Sequence, residues 1–382
     1  MKKPALALVM LACSVSWGCR KNVEPPLYRL FDDSRPILTV GADLENPDAR
    51  PYRIIDRFAI DRSGNIFVAN DIEFSIDKYD RQGRFLSAIG RKGQGPGEFA
   101  DGRRIPSFGI DSRGLIYTSS LRSRIVVLNP DGSLNGEHEF PAEAKGYYVH
   151  LIKIAPNDDI HVMFYRPGEE IRLARISAGF TDTRIYHRGR ARPGRALGEF
   201  LYFLPDFDFD RTGNALVTDG FEYRLYVYSP AGELIRTLER PAPKNKIVVA
   251  DLALYSGKGE ELIDFSQDPN AIRSLESLPE QDSYFPAVFG VNALDDGLIL
   301  WTSNRDAVLK YFFDIYDKEF RLIGRGSAYN WVVRNSALVS EKRICLLDMG
   351  SDDMEFKKKI GRLSPFEYPS RILVYEMALP AR

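Results

Sequence analysis

Residues 57–90 read RFAIDRSGNIFVANDIEFSIDKYDRQGRFLSAIG, and this stretch decides the fold. It holds four short apolar runs separated by polar segments, and the segments at 61–64 and 80–83 have the form of tight turns. Short alternating runs bounded by Asp and Gly turns are typical of antiparallel strands joined by hairpins. The stretch therefore predicts one four-stranded antiparallel meander.

The same unit recurs along the chain. Residues 107–134 and 206–238 repeat it closely, and weaker copies begin near 152, 291 and 337. The first turns of these copies start near 61, 111, 156, 210, 295 and 340, which gives spacings of about 45–55 residues and one gap of 85. Repeats of this length with four strands each are typical of propeller blades. We therefore predict an all-β, six-bladed β-propeller with four-stranded antiparallel blades, formed as a single domain by residues 35–382.

The last blade lacks a fourth strand of its own, and the N-terminal stretch 35–41 has the sequence of one. We expect it to pair with residues 372–377 and close the ring, which removes an exposed sheet edge. Residues 20–34 are predicted to be a linker. Two insertions interrupt the repeats, one at 349–369 and one at 241–283, where short helices are expected at 251–254, 260–265 and 270–278.

Composition limits the classes of function. The chain is 44% hydrophobic and 12% aromatic with a net charge of −1, which fits a globular β-protein and gives no overall field for nucleic acid. Its three cysteines are Cys13, Cys19 and Cys345. Cys345 lies in an apolar strand, so we expect an inert core thiol.

The first nineteen residues are predicted to be a signal peptide. Lys2 and Lys3 precede an apolar run at 4–15, which is too short to span a membrane. Gly18 followed by Cys19 resembles the cleavage site of a bacterial lipoprotein signal, which implies a lipid on Cys19 and a membrane-anchored protein of the cell envelope, in the periplasm or at the outer membrane. Secretion without a lipid is the alternative.

One segment indicates a family. Residues 90–99, GRKGQGPGEF, look like the glycine-rich G-x-G-x-G-P-G-E-F connection between NHL repeats, and the flanking D-x-x-G-x-I-x-V pattern is also NHL-like. The whole chain resembles the bacterial six-bladed propellers of NHL type that carry export or lipoprotein signals. The resemblance implies an exported six-bladed propeller.

The sequence contains no local catalytic motif. It has four histidines and no H-E-x-x-H, G-x-S-x-G, Walker or C-x-x-C pattern, so we assign no catalytic residue, metal ligand or cofactor. The aspartates that recur at the turns are expected to cap their own turns.

An enzymatic function remains as an alternative. Some propellers, among them metal-dependent lactonases and lyases, assemble a site at the axis from innermost strands, and calcium is the metal that this alternative would use. The polar residues expected near the axis are Lys153, Asp206, Asp208, Asn292 and Asn335.

The preferred hypothesis is a binding module for an envelope protein or a glycan, in contact with the membrane through the lipid only. The connections between blades are rich in cations, which suit carboxylate or phosphate groups. Acidic residues of the loops between second and third strands, such as Asp71 and Asp219, would form a separate sector. The candidate binding face comprises Arg91, Lys92, Arg103, Arg104, Arg190 and Arg192.

Overall fold

The structure is a computed structural model of the 382-residue chain. It describes residues 26–31, 35–41, 50, 52, 55, 57–93, 95, 98–99, 105–120, 124–166, 168–191, 205–249, 269–278, 280, 283–305, 310–329, 337–340, 342–348 and 371–378.

The strands are short and follow one another through tight turns. In the N-terminal half they are β1 (Leu38–Gly41), β2 (Phe58–Ile60), β3 (Ile66–Asn70), β4 (Ser75–Tyr79), β5 (Phe85–Ile89), β6 (Arg91–Lys92), β7 (Glu98–Phe99), β8 (Gly109–Ile110), β9 (Ile116–Ser120), β10 (Arg124–Leu128), β11 (Leu134–Glu139), β12 (Tyr148–Ile154), β13 (Ile160–Tyr165), β14 (Glu170–Ile176) and β15 (Thr183–Arg190). In the C-terminal half they are β16 (Phe207–Phe209), β17 (Ala215–Thr218), β18 (Arg224–Tyr228), β19 (Leu234–Glu239), β20 (Val288–Leu294), β21 (Gly297–Arg305), β22 (Lys310–Asp317), β23 (Leu322–Tyr329), β24 (Ala337–Ser340), β25 (Arg343–Asp348) and β26 (Arg371–Glu376).

Among the described strands, all except β6 and β7 form six four-stranded antiparallel sheets, which confirms the predicted six-bladed propeller, and β6 and β7 form a short parallel ribbon. Blades 1 to 5 are β2–β5, β8–β11, β12–β15, β16–β19 and β20–β23, each in sequential order. Blade 6 has the order β1-β26-β25-β24, so its outermost strand comes from the N-terminal end of the chain. Leu38 pairs with Val374 and Gly41 with Arg371, as the predicted ring closure requires.

The core lies between the blades, because each sheet buries both faces against its neighbours. Strands inside the ring are therefore apolar at successive positions, and all five residues of β3 are buried. The cluster around Phe164 and Tyr117 joins blades 2 and 3, and the cluster around Trp301 joins blades 5 and 6. Cys345 is buried in the cluster that joins blades 6 and 1, and burial raises the pKa of its thiol to about 12, as expected for an inert core thiol.

The recurrent aspartates cap their turns. Asp61 Oδ1 accepts hydrogen bonds from the backbone N–H groups of Ser63 (2.8 Å) and Asn65 (2.9 Å), and Asp111 and Asp210 repeat this geometry in blades 2 and 4. Gly64, at φ +79°, completes the first of these turns in the left-handed region that glycine tolerates. The turn motif thus accounts for the carboxylates that define the repeat.

The insertion after blade 4 contains the helix α1 (Pro269–Glu276), which overlaps the helix predicted at 270–278. Leu275 and Ile247 bury their side chains in the core cluster of blade 5. The helices predicted at 251–254 and 260–265, and the insertion at 349–369, lie outside the described residues. In the part of the chain that is described, no helix has the length and apolar character needed to cross a membrane.

Residues 26–31, within the stretch predicted as a linker, form an arm on the outside of the ring. The N–H of Tyr28 donates to the carbonyl of Arg325 (2.6 Å), and the N–H of Arg325 donates to the carbonyl of Pro26 (2.9 Å), which makes a parallel bridge on the outer edge of β23. Leu30 and Phe31 are buried in the cluster of blades 5 and 6. The arm therefore belongs to the folded body.

Candidate functional site

The propeller has two different faces. We call the turn face the one formed by the turns between first and second strands and between third and fourth strands, such as 61–65 and 80–84. We call the connection face the opposite one, formed by the loops between second and third strands and by the connections between blades, such as 71–74 and 140–147. A third candidate region is the axis, where the innermost strands meet.

At the axis, three of the predicted polar residues come together. Lys153 on β12 places its Nζ 3.0 Å from Asp206 Oδ1 and also donates to the carbonyl of Phe207. Burial opposes the charge of Lys153, but the nearby carboxylates of Asp206 and Asp208 outweigh it and raise the pKa of this ammonium. Burial raises the pKa of Asp208, and Lys153 partly offsets this effect. The cluster is therefore held by charges from blades 3 and 4.

The two axial carboxylates also accept hydrogen bonds from the next blade. Asp206 Oδ2 receives the N–H of Val291 (3.1 Å), and Asp208 Oδ2 receives the N–H of Ala293 (2.9 Å). An innermost strand has no strand on its axial side, so its N–H groups there need another acceptor. These aspartates supply it and tie blade 4 to blade 5.

Ser107 has the equivalent position in blade 2 and accepts the N–H of Ile152 of blade 3 (2.9 Å). Two further polar residues, Asn292 and Asn335, were predicted near the axis. Asn292 accepts a hydrogen bond from the indole of Trp301 (2.8 Å), and Asn335 lies outside the described residues.

A cavity of about 170 Å³ lies beside this cluster, between the innermost strands of blades 1 to 4. Its polar lining consists of Arg57, Ser107, Lys153 and Asp208, and the rest is apolar. This is near the size of a cavity that holds benzene and below the usual range of about 300–1,000 Å³ for ligand pockets.

The axial residues do not fit the calcium that the lactonase-like alternative would use. The ammonium of Lys153 already occupies the position of a cation at Asp206, and the Oδ2 atoms of Asp206 and Asp208 each accept a backbone N–H group. Among the described residues, no group of three His, Cys, Asp or Glu side chains could hold a metal ion.

On the connection face, the structure places three of the six predicted binding residues. Arg91 is exposed and pairs with Glu98 (2.8 Å) across the short β6–β7 ribbon. Lys92 lies over the ring of Phe74 (5.2 Å), and Arg190 lies over the ring of Phe221 (5.0 Å). In both cases an aromatic ring from a loop between second and third strands holds an exposed cation. Arg103, Arg104 and Arg192 lie outside the described residues.

Blade 3 carries a basic cluster that the sequence did not reveal as a unit. The guanidinium groups of Arg166 and Arg172 lie over Tyr147 at 4.3 and 4.5 Å from the ring centroid. Glu170 accepts from Arg172 Nε (2.8 Å) and from the hydroxyl of Tyr147 (2.5 Å), and Arg188 approaches it at 3.6 Å. The hydrogen bond from Arg172 is the main cause that lowers the pKa of Glu170, so this carboxylate stays ionised.

The charge of this cluster is positive. Arg172 and Arg188 share Glu170, and Arg166 pairs with Glu169 (2.9 Å). Arg190, two residues after Arg188 on β15, adds a fourth cation. Tyr147 is buried beneath the guanidinium groups of Arg166 and Arg172 and has a packing role.

Comparisons with known proteins agree on the architecture. A family model described as a six-bladed β-propeller (DUF5128) matches residues 43–158. A member of the DUF4221 family from Bacteroides vulgatus is similar in structure with a TM-score of 0.54, at 10% identity over 90% of this chain and 97% of that one. A protein from Bacteroides fragilis assigned as exported reaches 0.50, at 11% identity over 92% and 98% of the two chains.

A virginiamycin B lyase from Staphylococcus aureus reaches a TM-score of 0.46 at 12% identity, over 92% of this chain and 98% of the lyase, and similarity at this level says nothing about activity. No protein of curated function matches the sequence.

Proposed function

We propose that this chain is an exported, lipid-anchored propeller that binds a carboxylate-bearing partner through its connection face. The observation that carries the proposal is the basic cluster of blade 3, in which three arginines pair with two carboxylates and a fourth, Arg190, lies on the same strand as Arg188. Guanidinium groups bind carboxylates in a two-pronged geometry, which makes an excess of them on one blade edge suited to an anionic surface.

The cations are also held in place before a partner arrives. Arg190 is stacked on Phe221, and Arg188 is tied to Glu170, although about half of its side chain (52%) is exposed. A fixed cation loses less conformational freedom on binding than a free one, which favours affinity. Lys92, at the connection between blades 1 and 2, is held over the ring of Phe74 in the same way.

The export and the lipid anchor are supported by the sequence at residues 1–19, in which Gly18 and Cys19 follow a short apolar run. An exported propeller meets acidic polysaccharides and acidic protein surfaces rather than nucleic acids. The binding test therefore uses one polymer of each kind.

The experiment measures binding of the mature chain to polygalacturonate, a carboxylated glycan, and to polyglutamate, an acidic peptide, with dextran as the uncharged control. We expect binding to at least one polyanion, weakened by salt as for any exposed ionic contact. The variant R188Q/R190Q should bind at least about tenfold more weakly, since each charged hydrogen bond contributes about 1.5–3 kcal/mol.

The matched control is R184Q/R236Q, which removes two exposed arginines whose guanidinium groups bond to carbonyls of the turn-face segments, Ala231 and Glu319. Its affinity should equal that of the parent. Failure of both polyanions to bind, or an equal loss in the two double variants, would refute the proposal. The polymer that binds more tightly decides between a glycan and a protein partner.

A further inference from the structure

The exposed apolar side chains are distributed unevenly over the propeller. In the described part of the chain, eight large hydrophobic side chains are exposed, and six of them lie on the turn face. These six, which we call the apolar rim, lie at the start of outermost strands in blades 6, 1, 2 and 4: Ile37, Phe85, Leu86, Leu134, Leu234 and Ile235.

The apolar rim includes adjacent exposed residues at equivalent positions of two blades. Leu234 and Ile235 are neighbours that are 54% and 55% exposed, and Phe85 and Leu86 occupy the equivalent neighbouring positions of blade 1 at 42% and 51%. Isolated apolar residues on a surface are ordinary, whereas apolar side chains repeated at one level of a disc indicate contact with an apolar phase.

The N-terminal arm enters from the same side. Its bridge to Arg325 is parallel, so Pro26 lies on the side of the arm nearer to the end of β23 where Leu322 lies. Leu322 directly follows the turn at 317–321, which belongs to the turn face. Pro26 is seven residues after Cys19 in the sequence, and seven residues span at most about 25 Å.

We infer that the turn face docks on the membrane surface, with the apolar rim in the lipid headgroup region and the basic cluster of blade 3 directed away from it. The inference rests on the lipid anchor of the proposed function and goes beyond it, because it assigns a second binding surface. A short tether keeps the rim at a high local concentration near the bilayer, so weak apolar contacts suffice to orient the disc.

The test uses the lipidated chain in vesicles of phosphatidylethanolamine and phosphatidylglycerol that contain a nitroxide-labelled headgroup lipid. A fluorophore is attached either at Q82C on the turn face or at E73C on the connection face, both exposed positions. Cys345 does not compete for the label because it is buried. We expect loss of most of the emission at position 82 and retention of the emission at position 73.

The apolar rim is tested with the triple variant L86N/L234N/I235N. It should stay on the vesicles through its lipid and lose the quenching at position 82. V248N is the matched control, since Val248 is 50% exposed but lies in the insertion on the connection side; its quenching should equal that of the parent. A thermal melt of each variant verifies folding.

Equal quenching at positions 82 and 73, stronger quenching at 73, or quenching at 82 that survives the triple substitution would overturn the inference. A mass spectrum without a lipid on Cys19 would overturn its premise. None of these outcomes depends on the polyanion, so the quenching experiment and the polyanion-binding experiment can succeed or fail independently.

Discussion

The interface between blades 3 and 4 buries two histidines in the neutral form, and this makes stability depend on pH. His161 Nδ1 lies 2.7 Å from the hydroxyl of Tyr186, and His187 Nδ1 lies 2.8 Å from the hydroxyl of Tyr228. Burial lowers the pKa of His161 to about 3 and that of His187 to about 4. His187 Nε2 has no hydrogen-bond partner among the described residues, so a proton there would meet no acceptor.

We predict a loss of stability as the pH falls from 8 to 5. Unfolded histidines titrate near pH 6.5, whereas the folded ones stay neutral to about pH 4, so the unfolded state takes up protons in this window. At pH 5 protonation lowers the free energy of each unfolded imidazole by about 2 kcal/mol, which is RT ln(1 + 10^1.5). The two together cost about 4 kcal/mol of unfolding free energy, or about 5 °C in melting temperature for a domain of this size.

The assay is urea denaturation of the parent and of H161N/H187N at pH 8 and pH 5. Asparagine places an amide near the position of Nδ1, so it can keep the hydrogen bond to each tyrosine while removing the titration. Carboxylates that titrate in the same range are common to both proteins and cancel in the difference. The parent should lose about 4 kcal/mol more than the variant between the two pH values. Equal losses in the two proteins would refute this account of the interface.

Two further substitutions test the packing of the arm and of the axis. F31A should lower the unfolding free energy by about 3–5 kcal/mol, because Phe31 is buried against Tyr375 at 5.1 Å between ring centroids, whereas L27A should change it little; urea denaturation measures both. K153M should lower the unfolding free energy by about 3–5 kcal/mol, because it leaves the buried carboxylate of Asp206 without its cation. In a D206N background, thermal melting should show a clearly smaller loss of stability on the same substitution. An equal loss in both backgrounds would contradict the ion pair.

The blades were predictable because local chemistry specifies them. The Asp and Gly of the turns act within a few residues, as the bonds of Asp61 to Ser63 and Asn65 show, and their spacing gives the repeat. The ring closure was predictable for the same reason, since residues 38–41 have the pattern of a fourth strand and blade 6 lacked one.

Contacts that depend on blade-to-blade register were not predictable. The basic cluster joins Tyr147, in the connection between blades 2 and 3, to Arg166 and Arg172 of blade 3. No spacing in the sequence predicts that Arg172 lies opposite Arg188 on the adjacent strand. The arm was missed because Leu30 and Phe31 are only two apolar residues in a stretch without periodicity. Their burial depends on a surface created by blades 5 and 6.

At the axis, polar side chains that resemble a functional site form hydrogen bonds that hold the ring together. Closing six sheets into a ring leaves the innermost strands without a neighbour on the axial side, so some of their N–H groups need side-chain acceptors. The hydroxyl of Ser107 accepts the N–H of Ile152, while Asp206 and Asp208 accept N–H groups of blade 5, and Asp206 is also paired with Lys153. Among the described residues, the two carboxylates at the axis are therefore engaged by the ring itself. The guanidinium groups of blade 3 differ, because they outnumber their carboxylates on an exposed edge, and this excess of charge is why we place recognition on the connection face.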